Sequence, residues 1–216
     1  MVYSLTAELR ANGRAVIGYD AVPGDGDKLI EVADATPDGG LFFGHGRAHV
    51  SGRRVQTDHL PKQMKARTNG IIPDYGQFYG LKIVTAAFRD IVERLEPGVH
   101  QFLPMQIVGA RRSVIANMFF MVVCNRLDSV DRQETTLLPA HGIHWMPGRE
   151  VPREQWPPDF DPNVKGRVVF NSSQIGAHHL WYDKHHGNGP FMSDKLAETL
   201  RSAGMTGMNL VHLDEV

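Results

Sequence analysis

Apolar side chains recur with helical spacing in two short segments of the chain. They lie three or four residues apart: Phe88, Ile91, Val92 and Leu95 in the first segment, and Leu196, Leu200 and Ala203 in the second. This spacing places them on one face of a helix, so we predict two amphipathic helices. Each helix spans only about three turns and must therefore pack against a sheet to be stable.

Both predicted helices have recognisable starts and stops. Thr85 and Ser193 stand where a side-chain oxygen can accept a hydrogen bond from a free N–H of the first turn. Pro97 with Gly98 ends the first helix, and Gly204 ends the second. Apolar residues flank both helices, as in L-K-I-V-T-A-A-F-R-D-I-V-E-R-L-E-P-G-V-H-Q-F from Leu81. We therefore predict a strand-helix-strand unit that occurs twice, with chance similarity of the two units as an open alternative.

The longest apolar run belongs to a predicted hairpin. V-H-Q-F-L-P-M-Q-I-V begins at Val99, and V-I-A-N-M-F-F-M-V-V-C begins at Val114. Gly109 lies between them, near the expected tip, and residues 125–131 are expected to leave the sheet. The second run is about half as long as a membrane-spanning helix, so it indicates a buried strand.

The whole pattern predicts an α+β fold, mainly antiparallel sheet with two short amphipathic helices. Further short strands are expected at 14–19, 41–43, 168–171, 179–182 and 208–213. We divide the chain into a β-rich, turn-rich N-terminal region, residues 1–70, packed on a main α+β domain, residues 71–216. The clusters V-P-G-D-G-D and T-P-D-G-G mark turns in the first region.

Charge and cysteine content narrow the classes of partner and compartment. The chain of 216 residues has 23 basic and 24 acidic side chains, so no overall field favours nucleic acid or a membrane surface. Its N-terminus has no basic segment followed by an apolar run, and its single cysteine, Cys124, cannot form an internal disulfide. We expect a cytoplasmic protein whose cysteine is a core residue.

Eleven histidines raise the question of a metal site. Most lie in close pairs: His45 with His49, His141 with His144, His178 with His179, and His185 with His186. Their surroundings are loop-like or strand-like, and no H-E-x-x-H or Cys-x-x-Cys motif is present. We expect neither a metal nor a cofactor. A metal-dependent hydrolase that uses histidines 141–186 with Asp159 or Asp161 stays as an alternative.

Other catalytic patterns are equally weak. The chain has no G-x-S-x-G and no phosphate-binding glycine loop, and the pairs Arg53-Arg54 and Arg111-Arg112 are interpreted as solvated turn residues. Asp128 and Asp131 could form a pair of acids, or could simply cap the backbone N–H groups that follow them. We therefore predict that the protein is not an enzyme.

A proline-stiffened loop offers the most suggestive surface. R-E-Q-W-P-P-D-F-D-P places two aromatic side chains among three acidic ones: Glu154, Trp156, Asp159, Phe160 and Asp161. Aromatic anchors with a charged rim on a preorganised segment are typical of protein interfaces. The acids could mimic a phosphate substrate and bind a basic cleft. Alternatively, the two aromatic rings fold back and close a small satellite core.

Three stretches carry a resemblance to a known family. They are E-P-G-V-H-Q-F, N-R-L-D-S-V-D from Asn125, and F-M-S-D-K-L-A-E-T-L-R-S-A-G-M-T-G-M from Phe191, with I-G-A-H-H-L-W just before the last. In them the chain resembles a bacterial immunity protein family, number eleven in the polymorphic-toxin classification, over residues 71–210. These stretches are caps, core positions and turns, and none is a catalytic signature.

The resemblance implies a cytoplasmic immunity protein that binds a cognate antibacterial toxin and neutralises it by stoichiometric occlusion. The toxin would be encoded by an adjacent gene, and residues 1–60 would be a place for partner-specific variation. No binding residue can be transferred by motif. A scaffolding domain whose partner is not a toxin is the third hypothesis.

Overall fold

The computed structural model describes residues 1–25, 29–44, 46–67 and 69–216. The helices are α1 (Ala86–Leu95), α2 (Ser172–Ile175) and α3 (Asp194–Ser202), with short 3-10 turns between other elements. The strands are, in chain order, β1 (Val2–Ala7), β2 (Arg10–Ala11), β3 (Arg14–Ala15), β4 (Tyr19–Ala21), β5 (Gln63–Ala66), β6 (Tyr75–Phe78), β7 (Leu81–Val84), β8 (Gln101–Val108), β9 (Val114–Val122), β10 (Arg126–Leu127), β11 (Leu138–Ala140), β12 (His144–Met146), β13 (Val169–Phe170), β14 (Leu180–Asp183), β15 (Phe191–Ser193) and β16 (Met208–Glu215).

Two six-stranded sheets contain most of the strands. The first has the order β10-β14-β15-β1-β16-β13 and the second has the order β4-β5-β8-β9-β7-β6. Nine of the twelve strand pairs in the described residues are antiparallel. The fold is therefore α+β with predominantly antiparallel sheets, as predicted.

The two predicted helices form, and both predicted caps are confirmed. The Thr85 hydroxyl accepts a hydrogen bond from the Phe88 N–H at 3.3 Å, and the Ser193 hydroxyl accepts one from Leu196 at the same distance. Gly98 and Gly204, just beyond the helix ends, have positive φ. Each helix joins two strands that flank a third, antiparallel strand: β9 for α1 and β1 for α3. That the two units are copies of one another stays a prediction.

The central core lies between the sheets and around the helix pair. Apolar faces of α1 and α3 meet there with side chains from both sheets, among them Leu5, Phe88, Met121, Leu196 and Leu200. Helix residues repeat every three to four positions and strand residues every two, so each element contributes one continuous buried face. This packing, rather than intrinsic propensity, stabilises such short helices.

A separate cluster covers the outer face of each sheet. Segments from the first 60 residues pack on the second sheet around Ile83, Ile107 and Phe120. On the first sheet, Phe170, Trp181 and Phe191 form an aromatic group, with ring centroids 4.7–6.3 Å apart. Alternate residues of one strand therefore serve two different cores.

The predicted hairpin is confirmed as β8 and β9, but one local prediction is wrong. Residues 41–43 form no strand; the side chain of Phe42 is 55% exposed, so the short apolar run has no sheet face to bury. Residues 125–131 leave the second sheet, as predicted, and residues 126–127 enter the first sheet as β10, parallel to β14. Because Asn125 is also buried, this crossover joins the two sheets rather than forming an exposed connection.

Candidate partner-binding surfaces

The loop that the sequence marked as an interface is built around Trp156. Its indole Nε1 donates to the carbonyl oxygens of Gly148 and Val151 at 3.1 and 2.9 Å. The Phe160 ring lies 5.2 Å from the Trp156 ring in an edge-on arrangement. Phe160 also occupies the space that a side chain at position 148 would need, so Gly148 is required there. Both rings pack partly buried on Leu138 and its neighbours as a satellite core.

The three acids of this loop lie on its surface. Glu154, Asp159 and Asp161 are all exposed. The Asp161 carboxylate accepts from the backbone N–H and the side-chain amide of Asn163, so it fixes the local turn. Gln155 accepts from the His141 N–H at 2.9 Å and connects the loop to the β11–β12 hairpin. The loop thus presents carboxylates on a backbone held by its aromatic residues.

The histidines of the described residues are dispersed among structural roles. In that part of the chain no group of three or more His, Cys, Asp or Glu side chains is placed to hold a metal ion. His179 Nδ1 lies 2.7 Å from the Ser193 hydroxyl, whereas His178 Nδ1 lies 3.6 Å from a Glu96 oxygen. His45 is outside the described residues. The hydrolase alternative therefore has no assembled metal site among the described residues.

A buried polar cluster surrounds the end of α1. Glu96 Oε2 lies 2.8 Å from His100 Nε2, while Glu96 Oε1 accepts from the Asn125 amide and the His179 N–H at 2.8 and 3.0 Å. Burial on its own would raise the pKa of Glu96, but hydrogen bonds from His100 and His179 outweigh it, and the pKa lies below its ordinary value. The carboxylate is fully committed to neighbouring donors, so it is structural.

Cys124 lies next to His100, but the two side chains do not form a catalytic thiol–imidazole pair. His100 Nδ1 accepts a hydrogen bond from the backbone N–H of Cys124 at 3.1 Å, whereas the thiol lies 3.2 Å from the Val122 carbonyl. Burial raises the pKa of the thiol to about 11, so almost none of it is thiolate at neutral pH. The proximity of these two residues therefore has a structural role.

Asp128 and Asp131 do not form a pair of acids in the structure, because their carboxylates have different partners. Asp128 pairs with Arg132 at 2.8 Å. Asp131 accepts from the N–H groups of Gln133 and Glu134, each at 2.9 Å, and from the amide of Asn171. These hydrogen bonds hold the pKa of Asp131 below its ordinary value, which is the capping role named above.

A second exposed surface, at the tip of the β8–β9 hairpin, was not predicted as a site. Four pairs of consecutive residues with positive φ occur in the described chain: Asn12-Gly13, Tyr79-Gly80, Arg111-Arg112 and His141-Gly142. Three have glycine in second place, the residue that tolerates this conformation best. For Arg111 and Arg112, this left-handed backbone conformation has an energetic cost of roughly 1–2 kcal/mol per residue. Gly109 precedes the turn, and the absence of glycine from residues 110–113, between two strong strands, is the signal that sequence reasoning could have used.

Comparison with known proteins identifies one family. A family model described as Immunity protein family (Imm11) matches residues 5–214. No curated protein matches the chain. The matched range includes residues 5–70 of the N-terminal region as well as the stretches that carried the resemblance. None of the helices among the described residues has the length and apolar character needed to cross a bilayer.

Proposed function

The chain belongs to the immunity protein family Imm11, and on that basis we propose that it binds a cognate antibacterial toxin and neutralises it by stoichiometric occlusion. The observation that carries this proposal is the family match across residues 5–214. The toxin would be the product of an adjacent gene, and the complex would form in the cytoplasm. The protein would need neither a metal nor a cofactor, since binding alone blocks the toxin.

The chemistry of the polar clusters supports binding rather than catalysis. The carboxylate of Glu96 is committed to neighbouring donors, and that of Asp183 accepts from Ser129, His185 and His186 within the fold. A general acid or base must instead be within hydrogen-bond reach of a substrate. The exposed chemistry lies on surface loops, where a protein partner can make contact.

We place one contact of the toxin on the loop that contains Glu154, Trp156, Asp159, Phe160 and Asp161. Trp156 and Phe160 hold the loop through the satellite core, so little ordering entropy is lost when a partner binds. The exposed carboxylates would meet a basic region of the toxin, in the manner of a phosphate substrate. Complementary charge of this kind raises the association rate and selects the partner.

Growth rescue with co-purification tests the proposed function. Bacteria that express the toxin from the adjacent gene should survive when this protein is co-expressed, and the two proteins should purify together in fixed stoichiometry. Rescue without a complex would contradict occlusion and indicate an enzyme that reverses the damage. Failure to rescue would contradict the immunity function for this pair.

Charge reversal tests the proposed contact. We expect the Glu154→Lys and Asp159→Lys double variant to bind the toxin at least about tenfold more weakly, mainly through slower association. Asp58 and Glu198 are exposed acids on other elements, so Asp58→Lys with Glu198→Lys is the matched control. Equal affinity for both double variants would remove the loop from the interface without affecting the proposed function.

A further inference from the structure

The tip of the β8–β9 hairpin is a rigid, solvent-exposed turn. The Ser113 N–H donates to the Ala110 carbonyl at 3.2 Å, and the Gly109 N–H donates to the Ser113 carbonyl at 2.8 Å. The Ser113 hydroxyl adds a bond to Ala110 at 2.9 Å. These bonds close the backbone around Arg111 and Arg112, whose φ values are 55° and 60°.

The turn has a matched counterpart in the same molecule. Asn12-Gly13 joins β2 to β3 with the same sign of φ at both residues and has the residue types that such a turn prefers. Arg111 and Arg112 lack that conformational advantage. They also have no hydrogen bond or ion pair to any residue that the structure describes. Their side chains therefore give the fold nothing that offsets the backbone strain, and strain of this kind is concentrated at functional sites.

The surface around the tip has the composition of a protein interface. At the start of β9, beside the turn, the side chain of Ile115 is 48% exposed. Val114, at the foot of the turn, is 49% exposed. Arginine beside apolar contact surface is the combination enriched in binding hot spots.

A groove next to the tip extends this surface. It encloses about 920 Å³, and its lining includes Arg112, Lys62, Pro104 and Phe119. The carboxylate of Asp25, which also lines it, accepts from the backbone N–H groups of Lys62 and Gln63 at 2.6 and 2.9 Å. Lys62 and Arg112 bring two positive charges to the lining, against the single negative charge of Asp25.

We propose that the hairpin tip, Arg111 and Arg112 with Val114 and Ile115, is a docking finger for an acidic patch on the cognate toxin. This inference rests on the proposed function and adds a second contact to it. The finger is part of the second sheet, whereas the acidic loop packs on the β11–β12 hairpin, so the two contacts can be tested separately. Guanidinium groups bind carboxylates through paired hydrogen bonds, which gives the contact its specificity.

The test replaces the strained turn with the favoured one. We expect Arg111→Asn with Arg112→Gly to raise the melting temperature by about 2–4 °C, because the strain is removed. The same variant should bind the inactivated toxin from the adjacent gene about thirtyfold more weakly, with a smaller dependence on salt. Arg111→Glu with Arg112→Glu, which retains the turn and reverses its charge, should bind still more weakly.

The control is the reverse exchange at the other hairpin. Asn12→Arg with Gly13→Arg should lower the melting temperature and leave the dissociation constant for the toxin unchanged. A wild-type protein that binds no toxin would overturn the proposed function and this inference together. If the wild type binds the toxin and the Arg111→Asn, Arg112→Gly variant binds it with equal affinity, the inference alone is overturned. The inference would also be overturned if the wild type bound a short RNA duplex and the same variant lost that binding but kept its affinity for the toxin. That result would assign the finger to nucleic acid.

Discussion

At each end of the α1–α3 helix pair a carboxylate accepts hydrogen bonds that connect the two helices, but the donors differ between the two ends. At one end, Asp74 accepts from the Thr206 N–H, the Thr206 hydroxyl and the Thr85 hydroxyl at 2.8–3.0 Å. At the other end, Glu96 accepts from the His179 N–H, and His179 contacts Ser193. Asp74 thus connects the start of α1 to the chain just after α3, and His179 connects the end of α1 to the start of α3. The two helices are therefore antiparallel.

The difference between these ends lies in burial. Asp74 is only partly buried, and its partners are hydroxyl and N–H groups. Glu96 is 5% exposed and is surrounded by imidazole and amide donors. Water can replace lost hydrogen bonds at the Asp74 end but has poor access to the Glu96 end. We therefore expect substitutions at the two ends to differ in size and in their dependence on pH.

The largest effect is expected from Glu96→Ala. It leaves the His100 imidazole, the Asn125 amide and the His179 N–H without an acceptor in a buried site, so we expect a loss of about 3–5 kcal/mol in the free energy of unfolding. Urea denaturation measures this loss. Arg94→Ala, at an exposed position in the last turn of α1, is the control and should change stability by less than about 0.5 kcal/mol. A loss near 1 kcal/mol would show that water reaches the cluster.

A smaller effect is expected from Asp74→Ala. Three hydrogen bonds to a charged acceptor are lost, but partial exposure lets water satisfy the donors, so the expected loss is about 2–3 kcal/mol. The same urea denaturation measures it, and Asp74→Asn should recover part of the loss because the amide oxygen can still accept. If Asp74→Ala destabilised the fold more than Glu96→Ala, burial would not be the property that separates the two ends.

The smallest effect concerns the dependence of stability on pH. Since the pKa of Glu96 in the fold lies below its ordinary value of 4.5, the carboxylate stabilises the fold fully above that value and loses this contribution as the pH falls below it. The stability difference between the wild type and Glu96→Gln should therefore be constant at higher pH and should shrink in acid. Chemical denaturation over a pH series measures it. A difference that stays constant down to about pH 3 would contradict the lowered pKa.

Local features of the fold were predictable because their causes are local. Thr85 and Ser193 lie three residues from the N–H groups that they cap, and the hairpin strands are adjacent in the chain. His100 lies four residues from Glu96, but the distant partners of Glu96 and Asp74 were not predictable in this way. Asn125 is 29 residues from Glu96, and Thr206 is 132 residues from Asp74. Nothing in the sequence near either acid indicates which distant donors will reach it.

The candidate site shows the same division. The acidic loop was visible as aromatic and acidic residues between prolines, but the inward packing of Trp156 and Phe160 depends on Gly148 and on the β11–β12 hairpin. The docking finger was first interpreted as solvated turn residues. Its significance depends on backbone φ values and on the absence of partners within the described residues, and both are properties of the folded chain.

The sequence by itself determined the fold class, the two capped helices, the hairpin and the family. These follow from side-chain periodicity, turn chemistry and family-specific stretches, which act over a few residues at a time. Only the tertiary structure decided which elements each helix packs against, which acids are enclosed and which arginines have no partner among the described residues. Those outcomes depend on contacts between distant segments, where burial changes the free energy of every polar group.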